Sequence, residues 1–391
     1  VSGIRPKKFP RLWKPWHKSA NKPRDKFGYI FPRSEELMTA FAETIGNAQD
    51  LAEKSLQGEE LSREEALAVL NWPDDDVLSL LQAAFRVRQT YFGKTVKLNF
   101  LLNVQSGICP EDCGYCSQSA ISDAPVDKYK LMGAEAIMEA AERAIANKAT
   151  RLCMVASMRG PSDKDVGSVA EAVRQVKSQY PQLELCACLG LLKDGQAETL
   201  EAAGVDAYNH NLNTSERHYG EICSTHGFTD RLDTVRKVRE AGISSCSGAL
   251  FGMGETHDDV LEVAYRLREL QVESIPINFL VPIKGTPMVA RKDLTPVQCL
   301  KILCLFRLLN PRSTLRIAGG RELHLRALQP LGLYAANSLF VGDYLTTEGQ
   351  AAHLDIEMIR DMGFEIIGDA PVDNAPESLA DRVHFTSKKS H

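Results

Sequence analysis

From about residue 95, short apolar runs alternate with longer segments whose apolar residues recur every three or four positions. The short runs, at 97–104, 150–157, 183–189, 207–211, 244–251, 274–281, 314–318 and 337–341, read as strands. The segments 134–147, 166–180, 196–203, 229–241, 257–270 and 295–309 read as amphipathic helices. Eight such units predict an α/β chain closed as a (β/α)8, TIM-type barrel. A doubly wound open sheet is the alternative, but no G-x-G-x-x-G follows an early strand. In a (β/α)8 barrel the chemistry collects at the C-terminal ends of the strands.

The flanks have other rhythms. Residues 34–93 read as N-terminal helices: Ser34-Glu35-Glu36 starts one, Ser62-Arg-Glu-Glu65 has the form of a capping box, and Asp74-Asp75-Asp76 precedes the apolar face Val77, Leu78, Leu80, Leu81 and Phe85. The expected organisation is therefore a tail over 1–33, helices over 34–93, the barrel over 94–350, and a C-terminal helix (354–362) with a tail over 351–391. Residues 1–33 carry ten Lys or Arg, five Pro and one acid, Asp25, a composition that disfavours a helix and reads as a disordered basic tail. Scarcity of acids is also what a transit peptide shows, although the prolines count against its amphipathic helix. A misassigned start or a dispensable extension explains the tail equally well.

Composition narrows the class. With 44% hydrophobic residues and a net charge of −5, the chain is of ordinary globular type, and its mild acidity argues against a nucleic-acid surface. No apolar run approaches the roughly 20 residues of a membrane span, and no signal peptide is visible. Ten cysteines in a long chain without an export signal fit a reducing cytoplasm better than a disulfide framework.

The cysteines also carry the chemistry. Cys109, Cys113 and Cys116 follow the first predicted strand with the spacing C-x3-C-x2-C, so one compact loop would wrap one ion or cluster. Three thiolates are one too few for a closed four-cysteine site, and a 4Fe–4S cluster held this way keeps one iron open to a small molecule. A zinc knuckle would pair two C-x2-C units or recruit His, and no His lies near this loop. Three further cysteines, Cys153, Cys186 and Cys246, sit on separate predicted strands. Buried Cys is ordinarily a small hydrophobe. Three on different staves of one barrel, together with the charge of Arg316 in an apolar strand, would instead suit a second iron–sulfur cluster. Cys186 shares a strand face with Cys188, and Cys246 with Gly248 and Leu250. Asn209, Asn211 and Asn213 alternate onto one face of the fourth strand, where buried amides need partners that a polar ligand can supply.

The triad, with Tyr115 just before its last Cys, resembles the radical S-adenosylmethionine (SAM) superfamily. The segments YNHNLNTS (208–215), CSGALFGMGET (246–256), SIPINFL (274–280), KGTP (284–287) and RIAGGRE (316–322) extend this to a specific resemblance to the biotin synthase family from about residue 60 to 365. The resemblance implies a sulfurtransferase that converts dethiobiotin to biotin, the last step of biotin biosynthesis. It assigns Cys109, Cys113 and Cys116 to a 4Fe–4S cluster that binds SAM, and Cys153, Cys186, Cys246 and Arg316 to a 2Fe–2S cluster that donates sulfur. It sets Tyr115, Gly248, Leu250, Gly252, Glu255, Asn211 and Asn213 against SAM, and Asn211 and Asn278 against the substrate. Some members have Asp where this chain has Asn213, so a ribose contact there keeps its acceptor oxygen but loses a charge. Cys188 matches no ligand of the family, and neither do Cys223, Cys299 and Cys304. A flavodoxin- or ferredoxin-type reductant, iron–sulfur assembly machinery and a homodimer are implied as partners. The rival class is a non-catalytic iron–sulfur protein for electron transfer or sensing, which would need neither the adenine segment nor the asparagines.

Overall fold

Two helices begin for one local reason. Asn47 and Ser62 each accept a hydrogen bond from a backbone N–H of the first turn, and the Asp50 and Glu65 carboxylates accept one from the backbone N–H of the cap residue, so Ala48–Gln57 and Arg63–Leu70 start on complete capping boxes. A single turn at Asp74–Asp76 leads into a third helix, Val77–Phe92, which buries Leu80, Leu81, Ala83, Ala84 and Val87. The computed structural model describes residues 47–369. The tail expected over 1–33, the helix start at 34–36 and the segment beyond 369 lie outside the described residues.

Ten strands follow: β1 (Thr95–Gln105), β2 (Arg151–Ala156), β3 (Glu184–Cys188), β4 (Ala207–Asn209), β5 (Ser244–Cys246), β6 (Ala249–Phe251), β7 (Ser274–Phe279), β8 (Thr314–Ile317), β9 (Ser338–Phe340) and β10 (Glu365–Ile366). They pair in parallel in chain order, and β1 also pairs with β9, which closes the sheet. β5 and β6 both pair with β7 and form one stave, so the barrel has the eight expected. That stave is expected as one run, 244–251, and is broken at 247–248. The reason lies across the ladder: Pro276 has no N–H to donate, and Gly248 lies so close that a Cβ there would sit 1.8 Å from the Pro276 carbonyl oxygen. The short β10 pairs with β1 at Thr95↔Glu365 and Val96↔Ile366, a contact that two residues have no periodicity to announce.

Helices cover the barrel close to where the pattern sets them, for example Phe228–Glu240 and Pro296–Leu309. The one expected at 166–180 begins earlier, at Asp163, because Ser162 caps it. The helix His257–Glu269 is anchored at its first turn by buried Asp259, whose carboxylate accepts from Ser215 Oγ (2.5 Å), Thr256 Oγ1 (2.6 Å) and Thr256 N (2.7 Å) and pairs with Arg217. This ties the helix to the segment just after Asn211 and Asn213. Burial alone would raise the carboxyl, but the hydrogen bonds and Arg217 outweigh it and bring the pKa to about 2. A folded pKa below the unfolded value means that the stabilisation is present above about pH 4 and is lost as the pH falls toward 2. Asp259→Asn is therefore expected to cost about 2 kcal/mol at pH 7 and progressively less below pH 4. Denaturant melts at pH 7 and pH 3.5 check this; an equal deficit at both would remove the charge as its source.

Candidate active site at the C-terminal ends of the strands

The loop after β1 turns away at Gly107 (φ 70°), where a Cβ would meet the Asp127 carbonyl at 2.8 Å. It then brings up Cys109, Cys113 and Cys116, tightened by Cys116 N–H donating to the Cys113 carbonyl (3.1 Å) and fixed by Gly114 N–H on the Ile222 carbonyl (2.9 Å). Asp112 accepts from the N–H groups of Ser224 (2.9 Å) and Thr225 (3.1 Å). Cys113 is buried, and Cys109 and Cys116 are half-buried. Burial pushes the Cys109 thiol up to about 11 and raises that of Cys116. Such thiols become ligands when a metal displaces their protons.

A second set of thiols lies inside the barrel. Cys153 on β2 and Cys186 on β3 are register partners, Cys246 on β5 lies opposite Asn209, and Arg316 on β8 faces them. Cys153, Cys186 and Cys246 pack with Ala207, Ala318 and Phe340, small or flat neighbours that leave room at the centre. The Arg316 guanidinium lies 3.8 Å from Cys246 Sγ, donates to Ser274 Oγ (3.1 Å) and Ser338 Oγ (3.3 Å), and stacks 4.8 Å over the Phe340 ring. Asn209 Nδ2 is 3.3 Å from Cys246 Sγ. The neighbouring Cys186 thiol, which keeps its own proton, holds Cys153 and Cys246 below the ordinary thiol range. Arg316 and Arg151 act in the same sense against burial, and Cys186 itself is held well above. Burial would lower the Arg151 guanidinium, but the thiols and Glu184 hold it above its usual value. Its Nη1 is buried with no partner, although Nε donates to Glu184 (2.7 Å). A buried, unpartnered cationic donor beside three thiols fits a group that makes them thiolates and adds acceptor sulfurs.

One cavity of about 320 Å³, within the range of small-molecule sites, meets both sets. Tyr115 and Cys116 line it from the loop, Cys153 and Arg316 from the barrel interior, and Asn211, Asn213, Leu250 and Asn278 complete it. Asn213 Nδ2 donates to Tyr115 Oη (2.6 Å). Asn211 Oδ1 accepts from Asn209 Nδ2 (3.0 Å) and Gly248 N–H (3.1 Å), while Asn278 Oδ1 accepts from Gly319 N–H (3.0 Å). Strand alternation does not align the three asparagines as expected. β4 ends at Asn209, and Asn213 is left-handed (φ 68°), held there by its backbone bonds to Gly248 and Leu250. All three reach the cavity nevertheless. Of the remaining segment, Leu250 reaches it. Gly248, Gly252 and Glu255 do not; the Glu255 carboxylate accepts from the N–H groups of Gly252 (2.6 Å) and Met253 (2.8 Å) and shapes the turn. Cys188 also lines the cavity, its thiol pushed up to about 12 by burial.

Sequence reasoning missed several neighbours. Buried Arg231 donates to the Asn211 carbonyl (2.8 Å) and to Tyr219 Oη. Its signal was a charge on the otherwise apolar stripe Phe228, Leu232, Val235 and Val238 of its helix. Arg151 shares the strand parity of Cys153 and could have been found the same way. The expectation that no His lies near the cysteine loop holds along the chain and fails in space. His226 contacts Glu111 of that loop, and Cys223 Sγ lies 3.7 Å from Cys113 Sγ.

The family model of the radical SAM superfamily matches residues 104–267, and that of the biotin and thiamin synthesis associated domain matches 276–365. A methylornithine synthase structure superimposes with a TM-score of 0.70 at 18% identity, covering 81% of this chain and 97% of its own. An FeFe-hydrogenase maturase from Carboxydothermus hydrogenoformans does so with a TM-score of 0.71 at 20% identity, covering 85% and 83%. Closed barrel, cysteine loop and family match together define a radical SAM enzyme. Biotin synthase from Bacillus cytotoxicus is 55% identical over 81% of this chain and 95% of its own length, and biotin synthase from Renibacterium salmoninarum is 55% identical over 84% and 96%. The chain belongs to the biotin synthase family, whose cofactors are a 4Fe–4S cluster, a 2Fe–2S cluster and SAM. Among the described residues no helix is long and apolar enough to cross a membrane.

Proposed function

We propose that this chain inserts sulfur into dethiobiotin to form biotin, with the cavity between its two thiol sets as the reaction chamber. The observation that carries the reading is that single cavity, lined by Cys116 of the loop and by Cys153 and Arg316 of the barrel interior. When bound, the 4Fe–4S cluster and SAM supply an oxidant strong enough for an unactivated C–H bond, and the 2Fe–2S cluster supplies the sulfur.

The chain's own residues do the rest. Cys109, Cys113 and Cys116 would hold the first cluster, three thiolates for four irons, and Cys116 brings that site to the cavity wall. Tyr115 and Asn213, joined by their hydrogen bond, support SAM together with Leu250 and the backbone of 248–252 that Glu255 shapes. Asn211 and Asn278 present amides to the polar ring of dethiobiotin, and their backbone bonds fix the orientation of both. Cys153, Cys186 and Cys246 hold the second cluster with Arg316, whose serine partners pin the guanidinium. Apolar lining such as Leu101 and Phe340 excludes water that would quench a radical. The proposed domain division keeps residues 94–350 as the barrel.

Each C–H cleavage consumes an electron and each product consumes a sulfur, so the reading includes a flavodoxin- or ferredoxin-type reductant and iron–sulfur assembly machinery. A homodimer and a cytoplasmic setting rest on the family, and free cysteines at all ten positions suit a reducing compartment. Anaerobic incubation of the reconstituted chain with dethiobiotin, SAM and a flavodoxin-type reductant is expected to yield biotin with 5′-deoxyadenosine and methionine. Deoxyadenosine with no biotin would leave a radical SAM enzyme of another substrate class.

A further inference from the structure

Cys223 and His226 stand outside the proposed chemistry, yet they converge on the cluster loop. Cys113 Sγ and Cys223 Sγ are 3.7 Å apart, and His226 Nδ1 is 3.3 Å from Cys223 Sγ. One donor atom from each of the three residues lies within 4.8 Å of the others, and all three are buried. A sulfur pair bridged by a disulfide would be at about 2 Å. Two thiolates bound to one tetrahedral zinc-class ion, with bonds of about 2.3 Å, stand about 3.8 Å apart. The separation here, that of an S–H···S contact in the metal-free chain, is also the spacing that two co-ligands of one ion take, so an ion could enter without moving the sulfurs apart. The buried Glu111 carboxylate touches His226 Nδ1 and Thr225 Oγ1; it is not one of the three donors that lie within 4.8 Å of one another, and it would give up its contact with Nδ1 to an entering ion, which leaves the fourth position to a solvent ligand.

The surroundings also suit an ion. Tyr219 Oη lies 2.9 Å from His226 Nε2, an acceptor for the ring N–H that ligation through Nδ1 requires. Arg231 Nη2, also 2.9 Å from Nε2, would give up that contact and keep its bonds to Tyr219 Oη and the Asn211 carbonyl. Cys223 and His226 line a separate surface pocket that shares no residue with the reaction cavity, so an ion has its own way in.

The geometry points to a second metal site: in the cluster-free chain, Cys113, Cys223 and His226, with a solvent ligand in the fourth position, bind one divalent ion of the zinc class. The two thiol protons leave to solvent as the ion enters, and the Nδ1 proton passes to Nε2. On the assignment of Cys113 to the 4Fe–4S cluster, from which this part of the inference follows, the two occupancies exclude one another. The ion holds the empty loop in a folded arrangement and must leave before the cluster is built.

Full-length cluster-free protein, loaded anaerobically with Co²⁺ and desalted, tests the site by elemental counting and by thiolate-to-cobalt absorbance. Cys223→Ser and His226→Ala are each expected to lower the retained Co²⁺ by one equivalent. Cys109→Ser is expected to leave the count unchanged, and the thiols of the barrel interior keep their own metal in every variant. Zn²⁺ loaded first should slow formation of the 4Fe–4S cluster, followed by its own Mössbauer signal, by about tenfold or more in the parent chain and not in Cys223→Ser. An unchanged count in both Cys223→Ser and His226→Ala overturns the site. So does a count that falls with Cys109→Ser, because the loop triad would then be the ligand set. Cys113→Ser separates the two readings: if it acquires a normal 4Fe–4S cluster while the parent binds Co²⁺ at the new site, the cluster assignment of Cys113 and the exclusion fail together and the ion site stands.

Discussion

Cys116→Ser is expected to lose the iron and sulfide of the SAM-binding cluster and to lower 5′-deoxyadenosine formation by about three orders of magnitude or more, a loss of some 4 kcal/mol in transition-state terms. Of the three loop thiols this one lines the reaction cavity. A serine hydroxyl matches its size but is a far weaker acid, so it does not supply the thiolate that an iron–sulfur cluster demands. The fold is expected to be indifferent. Cys116 is half-buried, and the loop is held by other bonds, from Gly114 N–H to the Ile222 carbonyl and from Ser224 and Thr225 to Asp112. Cluster-free parent and variant should therefore melt within about 0.5 kcal/mol of each other. Ordinary deoxyadenosine formation in the variant would end the assignment of the triad.

The barrel and the loop were legible because both are written locally. Eight apolar runs at regular spacing need no knowledge of distant residues, and neither do three cysteines within one turn of chain or a capping box at Ser62. What escaped depends on contacts between segments far apart. The break of the fifth stave needs Pro276 to lie opposite Gly248, and nothing in 244–251 itself announces it. The position of Asn213 comes from backbone bonds to Gly248 and Leu250, not from the alternation that its sequence suggests. Cys223 and His226 lie more than 100 residues from Cys113 and Glu111 along the chain and touch them only after folding. Arg151 and Arg231 were readable in part, as charges at positions where a strand or a helix is otherwise buried. A buried charge needs compensation, but the sequence does not say whether that is a carboxylate, as with Glu184, or thiols.

Cys153→Ala and Cys246→Ala are expected to separate the two halves of the reaction. Both should abolish biotin formation while retaining a substantial part of SAM cleavage, because neither residue belongs to the loop that holds the first cluster. The alternative is that these thiols are small core residues. Truncation would then cost about 1 kcal/mol of stability and leave biotin formation near the parent level. The geometry weighs against that alternative. A merely apolar core has no use for Arg316 facing Cys246, for the amide of Asn209 at 3.3 Å from the same sulfur, or for a buried donor on Arg151 without a partner. Arg316→Ala refines the test, since its guanidinium is positioned by Ser274 and Ser338 independently of any thiol. If the arginine is an obligatory ligand, this variant loses the 2Fe–2S signal and biotin together; if it only offsets thiolate charge, the cluster assembles and activity falls in part. Biotin formation at the parent rate in both cysteine variants would dissolve the second centre, because among the described residues the barrel interior brings only Cys153 and Cys188 to the cavity wall, and Cys188 alone cannot hold a cluster.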